Sequence, residues 1–304
     1  MAFLNSFITQ TITYATIYAL TSLGIVIAGR AGIFNISGEG VMLASASTGF
    51  VVAHFSGSWA LGFVAGAFVG AAFGLLLAYL HETFKVNQFI LGISLIILGT
   101  GLSDLIYNAA IGVTLVAPKA PSIPTITLPV VSQIPIIMGF LRQDAIVYFM
   151  YLAIAFCFWF YYRTRIGLEI RSIGENPKAA DVSGINVVRM RYLATIAGSM
   201  LMGISGAYLP IAITGTYSTG MAAGRGYMAI GIAIFASWKP QRALLGALLF
   251  AGIEVASFIM QRMHTGIPYQ FFLMLPFVSV LIVMAIFRKQ VEFPASLGKP
   301  YSRE

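Results

Sequence analysis

Charged residues are the scarcest class in this sequence. Only 9% of the 304 residues are Asp, Glu, Lys or Arg, whereas 59% are hydrophobic. Soluble domains carry about 25% charged residues. A soluble fold of this length would have too few charges to cover its apolar surface. A bilayer removes that difficulty because lipid solvates the apolar exterior, so the composition predicts an integral membrane protein.

Cysteines and catalytic motifs are also lacking. The single cysteine, Cys157, excludes a disulfide framework. The sequence contains neither the G-x-x-x-x-G-K-[ST] motif of a P-loop nor the H-E-x-x-H motif of a metalloprotease. We expect its three histidines, His54, His81 and His264, to face water near the ends of apolar segments. The sequence therefore predicts a protein that is not an enzyme and has no catalytic residue, metal or cofactor of its own.

Apolar segments dominate the chain. A membrane-spanning helix needs roughly 20 mainly apolar residues, and such windows follow one another along the sequence. They lie near 7–28, 38–54, 59–80, 87–110, 145–162, 192–213, 226–238, 243–260 and 267–287. The window 226–238 is too short to cross alone and predicts a broken helix. We expect an all-α polytopic membrane protein with about 8–10 spans.

The basic residues orient these spans. With the N-terminus outside and nine crossings, 14 of the 18 Lys and Arg residues lie inside and 4 lie outside. This asymmetry favours the stated orientation over its inverse because inside loops are enriched in Lys and Arg. Segment 163–191 is then an inside loop, and the proline-rich segment 112–143 is an outside loop. Proline removes backbone donors, so we expect 112–143 to be extended and ordered by packing.

The two halves of the chain show a weak internal repeat. A long apolar segment is followed by Gly29–Gly32 in the first half and by Gly224–Gly226 in the second. Their opposite predicted sides indicate inverted repeats, a common plan in transporters. We expect one transmembrane domain, 1–304. Its parts are a first repeat at about 7–110, a linking span at 145–162, a cytoplasmic loop at 163–191, a second repeat at about 192–287 and a cytoplasmic tail at 288–304.

Glycine recurs every four residues at Gly62, Gly66, Gly70 and Gly74. This spacing lets helices approach closely. Packing within the chain is the favoured interpretation, and contact with a second membrane subunit is the alternative.

Polar residues within apolar segments are the candidates for a substrate path, because such residues are costly in a bilayer. In the glycine-rich break at 29–40, Glu39 suits a helix N-terminus, and the favoured interpretation is that it pins the junction. Asp104 and Asn108 are one helical turn apart and share a face. The complete set of path candidates is Asn35, Glu39, Gln88, Asp104, Asn108, Arg225 and Glu254.

The loop 163–191 carries a short helix signature. Asn176 is a good N-cap with Pro177 at the first helical position, and Gly184 ends the helix. A surface helix this short is marginal alone, so we expect it to dock onto a partner.

This loop resembles the cytoplasmic coupling motif of bacterial ABC importer permeases of the branched-chain amino acid, ribose and nucleoside group. The family pattern G-x-N-P-x-A-A-x-x-x-G-I is matched in order from Gly174 to Ile185. The stretches Gly32–Leu43 and Gly220–Tyr227 are also similar to the family. Within it, the closest likeness is to the shorter permease of nucleoside-type importers. One departure is Ile96, which stands where those permeases usually carry Asn.

The resemblance implies a permease subunit that imports a small polar solute, most simply a nucleoside. Riboflavin, a simple sugar and branched-chain amino acids are alternatives, and an ion-coupled secondary transporter is the alternative class. It also implies a second homologous permease, an ABC ATPase subunit that holds the ATP and Mg²⁺, and an extracytoplasmic substrate-binding lipoprotein. We expect location in the bacterial plasma (inner) membrane. The resemblance also implies that the residues that couple to the ATPase are Gly174, Glu175, Asn176, Pro177, Ala179, Ala180, Gly184 and Ile185. We expect Ala180→Arg to abolish ATPase association while membrane insertion stays intact.

Overall fold

The computed structural model describes residues 2–112, 116–126, 139–262, 268–287, 289 and 291–301. Its helices are α1 (Ala2–Arg30), α2 (Gly38–Ser56), α3 (Trp59–Phe84), α4 (Gln88–Ala110), α5 (Ala145–Arg163), α6 (Arg165–Glu175), α7 (Pro177–Val182), α8 (Val187–Tyr208), α9 (Arg225–Phe235), α10 (Pro240–Arg262) and α11 (Tyr269–Phe287). A π-helical turn, Leu209–Thr214, continues α8. The strands Thr125–Ile126 (β1) and Gln143–Asp144 (β2) pair in antiparallel fashion.

Short polar side chains fix where five of these helices begin. A side-chain oxygen of the N-cap residue accepts a backbone N–H of the first turn in each case, which satisfies a donor that has no partner within the helix. The caps are Asn87 of α4, Asp144 of α5, Thr164 of α6, Asn176 of α7 and Asn186 of α8. The short helix at Asn176 therefore forms as the sequence predicts.

In the described part of the chain, seven helices are long and apolar enough to cross a membrane: α1, α3, α4, α5, α8 with its π-helical turn, α10 and α11. The remaining two predicted windows, 38–54 and 226–238, correspond to α2 and α9. Helix α9 has 11 residues, which span about 16 Å and so cross only part of a bilayer. The all-α polytopic fold is confirmed, with two of the expected spans formed by helices that do not qualify alone.

Helix α1 lies at the centre of the fold, with 89% of its most apolar stretch buried. It packs against α8, α9 and α10, while α3 packs along α8 and α2 packs against α3 and α4. Helices α4 and α11 are peripheral, because only 28% and 17% of their apolar stretches are buried inside the chain.

The glycine stripe of α3 packs within the chain, as favoured from the sequence. A Cβ built on Gly70 would lie 2.2 Å from the carbonyl oxygen of Ser199, and one on Gly203 would lie 2.1 Å from that of Gly66. The backbones of α3 and α8 thus touch directly. Since lipid is as apolar as the side chains, such close van der Waals packing is what holds the two helices together.

The outer loop is partly described. Residues 116–126 are non-helical, and Ala120 N donates to Gly215 O at 2.9 Å. The backbone of this segment therefore packs against the turn that follows α8, as predicted for an extended, packed loop. Residues 139–141 of the predicted loop are helical instead. Residues 127–138, which include Pro129 and Pro135, lie outside the described residues.

We expect Gly70→Ala to lower the free energy of unfolding by about 1–3 kcal/mol, the usual cost of overpacking a tight contact. The added methyl group would force α3 and α8 apart. The measurement is the thermal unfolding midpoint of the purified chain in detergent. The matched control is Gly101→Ala on α4, where a Cβ meets nothing within 4 Å. Equal midpoints for the two variants would contradict the packing.

Candidate functional site

The N-termini of α2 and α9 meet inside the protein, at the carboxylate of Glu39. Gly224 N donates to Glu39 Oε1 at 2.8 Å, and Gly226 N donates to Glu39 Oε2 at 2.7 Å. A Cβ on Gly226 would lie 2.4 Å from the backbone nitrogen of Glu39. Glycine is therefore required at Gly226 for the two helix starts to approach this closely.

The charge of Glu39 suits this position. Each helix N-terminus carries unpaired N–H groups and a partial positive charge, and here two such ends face each other. One carboxylate accepts a hydrogen bond from both glycines of α9 while it occupies the first turn of its own helix, α2. The structure thus agrees with the interpretation that Glu39 pins the junction. The glycine-rich breaks of the two predicted repeats contact each other here, although the repeat boundaries stay a prediction.

Next to this junction lies a buried ion pair. Arg225 Nη2 is 2.7 Å from Glu254 Oε1, and Tyr18 OH donates to Glu254 Oε2 at 2.7 Å. Arg225 also donates to the carbonyl of Met221 at 3.1 Å. The Arg225 side chain is 13% exposed and packs against residues of α1 and α10. The structure brings three path candidates together: Glu39, Arg225 and Glu254.

Two other path candidates anchor the segment 31–37 that joins α1 to α2. Asn35 is fully buried, donates to Ser199 Oγ at 3.0 Å and accepts from Ser37 Oγ at 2.6 Å. Gln88 is 1% exposed and accepts from Phe34 N at 2.6 Å. Because both side chains form hydrogen bonds within the chain and are buried, neither of them lines an open path in this conformation.

Asp104 and Asn108 share a face of α4, as predicted, and that face is not covered by the rest of the chain. Asn108 is exposed and Asp104 is half-buried, with Tyr217 OH 3.4 Å from its carboxylate. Ser94 and Thr100 are both exposed, and each hydroxyl group donates a hydrogen bond to the backbone carbonyl four residues earlier on α4. We call the set Ser94, Thr100, Gly101, Asp104 and Asn108 the α4 polar stripe.

The predicted coupling residues lie on α6, α7 and the turn that follows. Asn176 Oδ1 accepts from Ala179 N at 3.1 Å, and Gly184 has φ +86° as it ends the helix. Glu175, Asn176, Ala179 and Gly184 are exposed, whereas Pro177 and Ile185 are partly covered. A groove of about 540 Å³ separates α6 from α7.

Ala180 and Gly174 face the protein interior. Ala180 is 3% exposed and packs with Ile173, Val187 and Tyr301. The larger charged side chain of Ala180→Arg would therefore disrupt this cluster as well as any contact with a partner. A Cβ on Gly174 would lie 2.3 Å from the carbonyl oxygen of Arg30. The exposed apolar residue of α7 is instead Val182, which is 90% exposed.

The C-terminal tail ties this region together, which sequence reasoning missed. Ser296 N donates to Gly174 O at 2.9 Å, and Gly298 N donates to Gly32 O at 3.1 Å. The Lys85 ammonium donates to the carbonyl of Tyr301. These hydrogen bonds use the backbone of the tail, so no side-chain pattern in the sequence signals them.

Sequence reasoning also missed the buried polar groups near the C-terminal tail. Arg191 is fully buried, 2.9 Å from Glu82 Oε1 and 3.0 Å from Ala31 O. His81 was expected to face water, and this is wrong: it is 1% exposed and 2.7 Å from Gln88 Nε2. His81 and Glu82 are adjacent in the sequence, but the residues that they contact, Gln88 and Arg191, come from α4 and α8. His264 lies outside the described residues.

Residues 7–285 match the family described as "Branched-chain amino acid transport system / permease component". The chain belongs to this family. It is therefore a permease subunit of an ABC importer, and the alternative of an ion-coupled secondary transporter loses its basis. Members of this family work with an ATPase and a substrate-binding protein, and ATP hydrolysis belongs to the separate ATPase subunit. The protein is a multi-pass protein of the plasma membrane.

Three relatives show how far the similarity extends. A putative glucose ABC transporter permease of Haloferax volcanii is 37% identical over 84% of this chain and 77% of its own length. The guanosine ABC transporter permease of Bacillus subtilis is 30% identical over 98% and 97%, respectively. The nucleoside ABC transporter permease of Lactococcus lactis is 31% identical over the same shares. No solved structure matches the chain.

We expect Glu39→Gln to lower the free energy of unfolding by about 1.5–3 kcal/mol, the range for hydrogen bonds to a charged group. A neutral amide offers one acceptor and turns its NH₂ group toward a glycine N–H. Thermal unfolding in detergent measures the loss. Glu292→Gln is the matched control, because Glu292 is 80% exposed and its 3.6 Å pair with Lys239 is worth little. Identical behaviour of both variants would refute the role of Glu39.

Proposed function

We propose that this permease imports a nucleoside along the α4 polar stripe, which a second homologous permease completes into a closed path. The observation that carries this proposal is the stripe itself. A helix that faces lipid alone gains nothing from Asp104 and Asn108, since polar side chains in the bilayer are costly. A polar face on a peripheral helix suits a water-containing path between two subunits.

Chemistry near the stripe suits a ligand with a flat ring. The rings of Tyr107 and Tyr217 are 4.5 Å apart, and Ser103 Oγ lies 2.5 Å from Tyr217 OH. Half-buried Tyr107 therefore presents an aromatic surface one turn from the Asp104 carboxylate. A nucleoside offers a base for stacking and ribose hydroxyls that donate to a carboxylate.

The share of the chain that each relative aligns with supports a nucleoside as the substrate. The guanosine and nucleoside permeases align over nearly the whole chain, whereas the glucose permease aligns over 84% of it. The glucose permease has the higher identity of 37%, which favours a simple sugar as the second candidate. Ile96, in the middle of α4, replaces an Asn expected of nucleoside permeases and also keeps the sugar, riboflavin and branched-chain amino acid alternatives open.

Coupling to the ATPase is proposed at α6 and α7. Leu168, Ala179 and Ile185 line their groove, and Val182 of α7 adds an exposed apolar side chain outside it, at the basic end of the molecule. The partner would hold ATP and Mg²⁺, and an extracytoplasmic lipoprotein would deliver substrate at the opposite end, where segment 116–126 packs on the turn after α8.

The contacts of the described residues offer a route from α7 to the junction. Ala180 of α7 packs on Tyr301, and the tail hydrogen-bonds Gly174 and Gly32. Gly32 begins the segment that leads to Glu39. A displacement of α7 would therefore pull on the end of α1 and on the start of α2 through backbone hydrogen bonds.

We expect Asp104→Ala to slow uptake of radiolabelled guanosine about two- to tenfold, because loss of one hydrogen bond costs about 0.5–1.5 kcal/mol. The measurement uses vesicles that contain the complete transporter, with ATP supplied. Leu281→Ala, at a 68% exposed position of α11 outside the stripe, is the matched control and should leave uptake unchanged. Excess unlabelled nucleoside should compete, whereas glucose and riboflavin should not. Competition by glucose alone would overturn the nucleoside assignment in favour of a sugar.

We expect Val182→Glu to reduce co-purification of the ATPase with the permease at least about tenfold, because a charge would replace an apolar contact in the interface core. Membrane insertion and thermal stability should not change, since the side chain touches little of its own chain. Val116→Glu, at an 80% exposed position of the outer loop, is the control. Undiminished co-purification of the Val182 variant would remove α7 from the proposed interface.

A further inference from the structure

A second groove lies between α5, α6 and α8, at the end of the molecule that carries most of the basic residues. It shares Arg165, Glu169, Ser183 and Ile185 with the groove between α6 and α7. It has a volume of about 600 Å³, which is in the usual range for ligand sites, about 300–1,000 Å³. Apolar side chains line the part of the groove that lies farther from the basic residues, which we call its deep part. They include Phe156, Leu193 and Ala197. Phe156 and Leu193 are 55% and 54% exposed, so the deep part opens sideways toward lipid.

The mouth of the groove is polar and basic. Arg165 and Arg189 line it, together with the turn that links α7 to α8. Arg165 pairs with Glu169 at 3.3 Å but is 93% exposed. Among the described residues the guanidinium of Arg189 has no hydrogen-bond or ion-pair partner, and it is exposed. The mouth thus keeps a net positive charge that nothing in the described chain neutralises.

The dimensions of the groove match one leaflet. Arg189 and Ala197 are eight residues apart on α8, which places the two ends of the groove about 12 Å apart. Half of the hydrocarbon core is roughly 15 Å thick. A ligand with its anionic group at the arginines and its chain along the groove would therefore lie as a lipid of the cytoplasmic leaflet lies.

We propose that this groove binds an anionic phospholipid, with the phosphate at Arg165 and Arg189 and one acyl chain between α5 and α8. Basic pockets between helices on the cytoplasmic side suit such headgroups. The bound lipid would contact Ser183, Gly184 and Ile185, and so would support the turn that holds α7 in place. This site is separate from the α4 polar stripe, because no residue of α4 lines it.

The test is native mass spectrometry of the purified full-length chain in detergent, with phosphatidylglycerol or phosphatidylcholine added at equal concentration. We expect retention of one phosphatidylglycerol in preference to phosphatidylcholine. The double variant Arg165→Gln/Arg189→Gln should weaken phosphatidylglycerol retention about tenfold. The double variant Arg163→Gln/Arg242→Gln removes the same charge from exposed positions outside the groove and should retain lipid as wild type does.

A second variant tests the apolar half. Ala197→Trp fills the deep part from an exposed position and should lower retention of phosphatidylglycerol while the arginines stay in place. Equal retention of the two lipids by the wild-type chain would overturn the proposal. Wild-type retention by the groove variants would also overturn it, as would loss of a co-purifying protein partner from Ala197→Trp without change in bound lipid, because a protein segment would then fill the groove.

Discussion

The rest of this structure depends on one carboxylate between two helix ends. Helices α2 and α9 both begin inside the protein, where water is not available to satisfy their first N–H groups. Glu39 accepts from Gly224 and Gly226 and so satisfies the start of α9 from the start of α2. Because backbone groups at membrane depth must be satisfied internally, this contact permits two broken helices in the fold. Beside this contact, the opposite charges of Arg225 and Glu254 pair with each other.

The fold also depends on close contact between helix backbones, which glycine residues permit. Gly40 of α2 lies against Leu95 and Ile96 in the middle of α4, and Gly226 lies against Glu39. The junction is therefore held at mid-depth by positions that tolerate no Cβ. Hydrophobic burial gives little preference between helices in lipid, so the register of α2 depends on these contacts and on the polar anchors Asn35 and Gln88.

Composition and local motifs predicted much of this molecule, because they act over short distances. The apolar windows, the Asn176 cap and the Gly184 stop depend on residues near in sequence, and the structure has each of them. The path candidates were harder, since a polar residue in an apolar window is equally visible whether it pins a loop or faces a cavity. Asn35 and Gln88 are pinned, whereas Asp104 and Asn108 face outward. Only the partners, Ser199 for Asn35 and Phe34 for Gln88, distinguish the two cases.

The tail was beyond prediction for the same reason, because its contacts lie far away in sequence. Helix α7 has one buried residue, Ala180, which packs with Tyr301 of the tail. The same tail hydrogen-bonds Gly174 of α6 and Gly32, which is seven residues before Glu39. Under the proposed coupling role, this set of tail contacts would link α7 to the segment that leads to Glu39. A lipid under the α7–α8 turn would stiffen the same set from the membrane side.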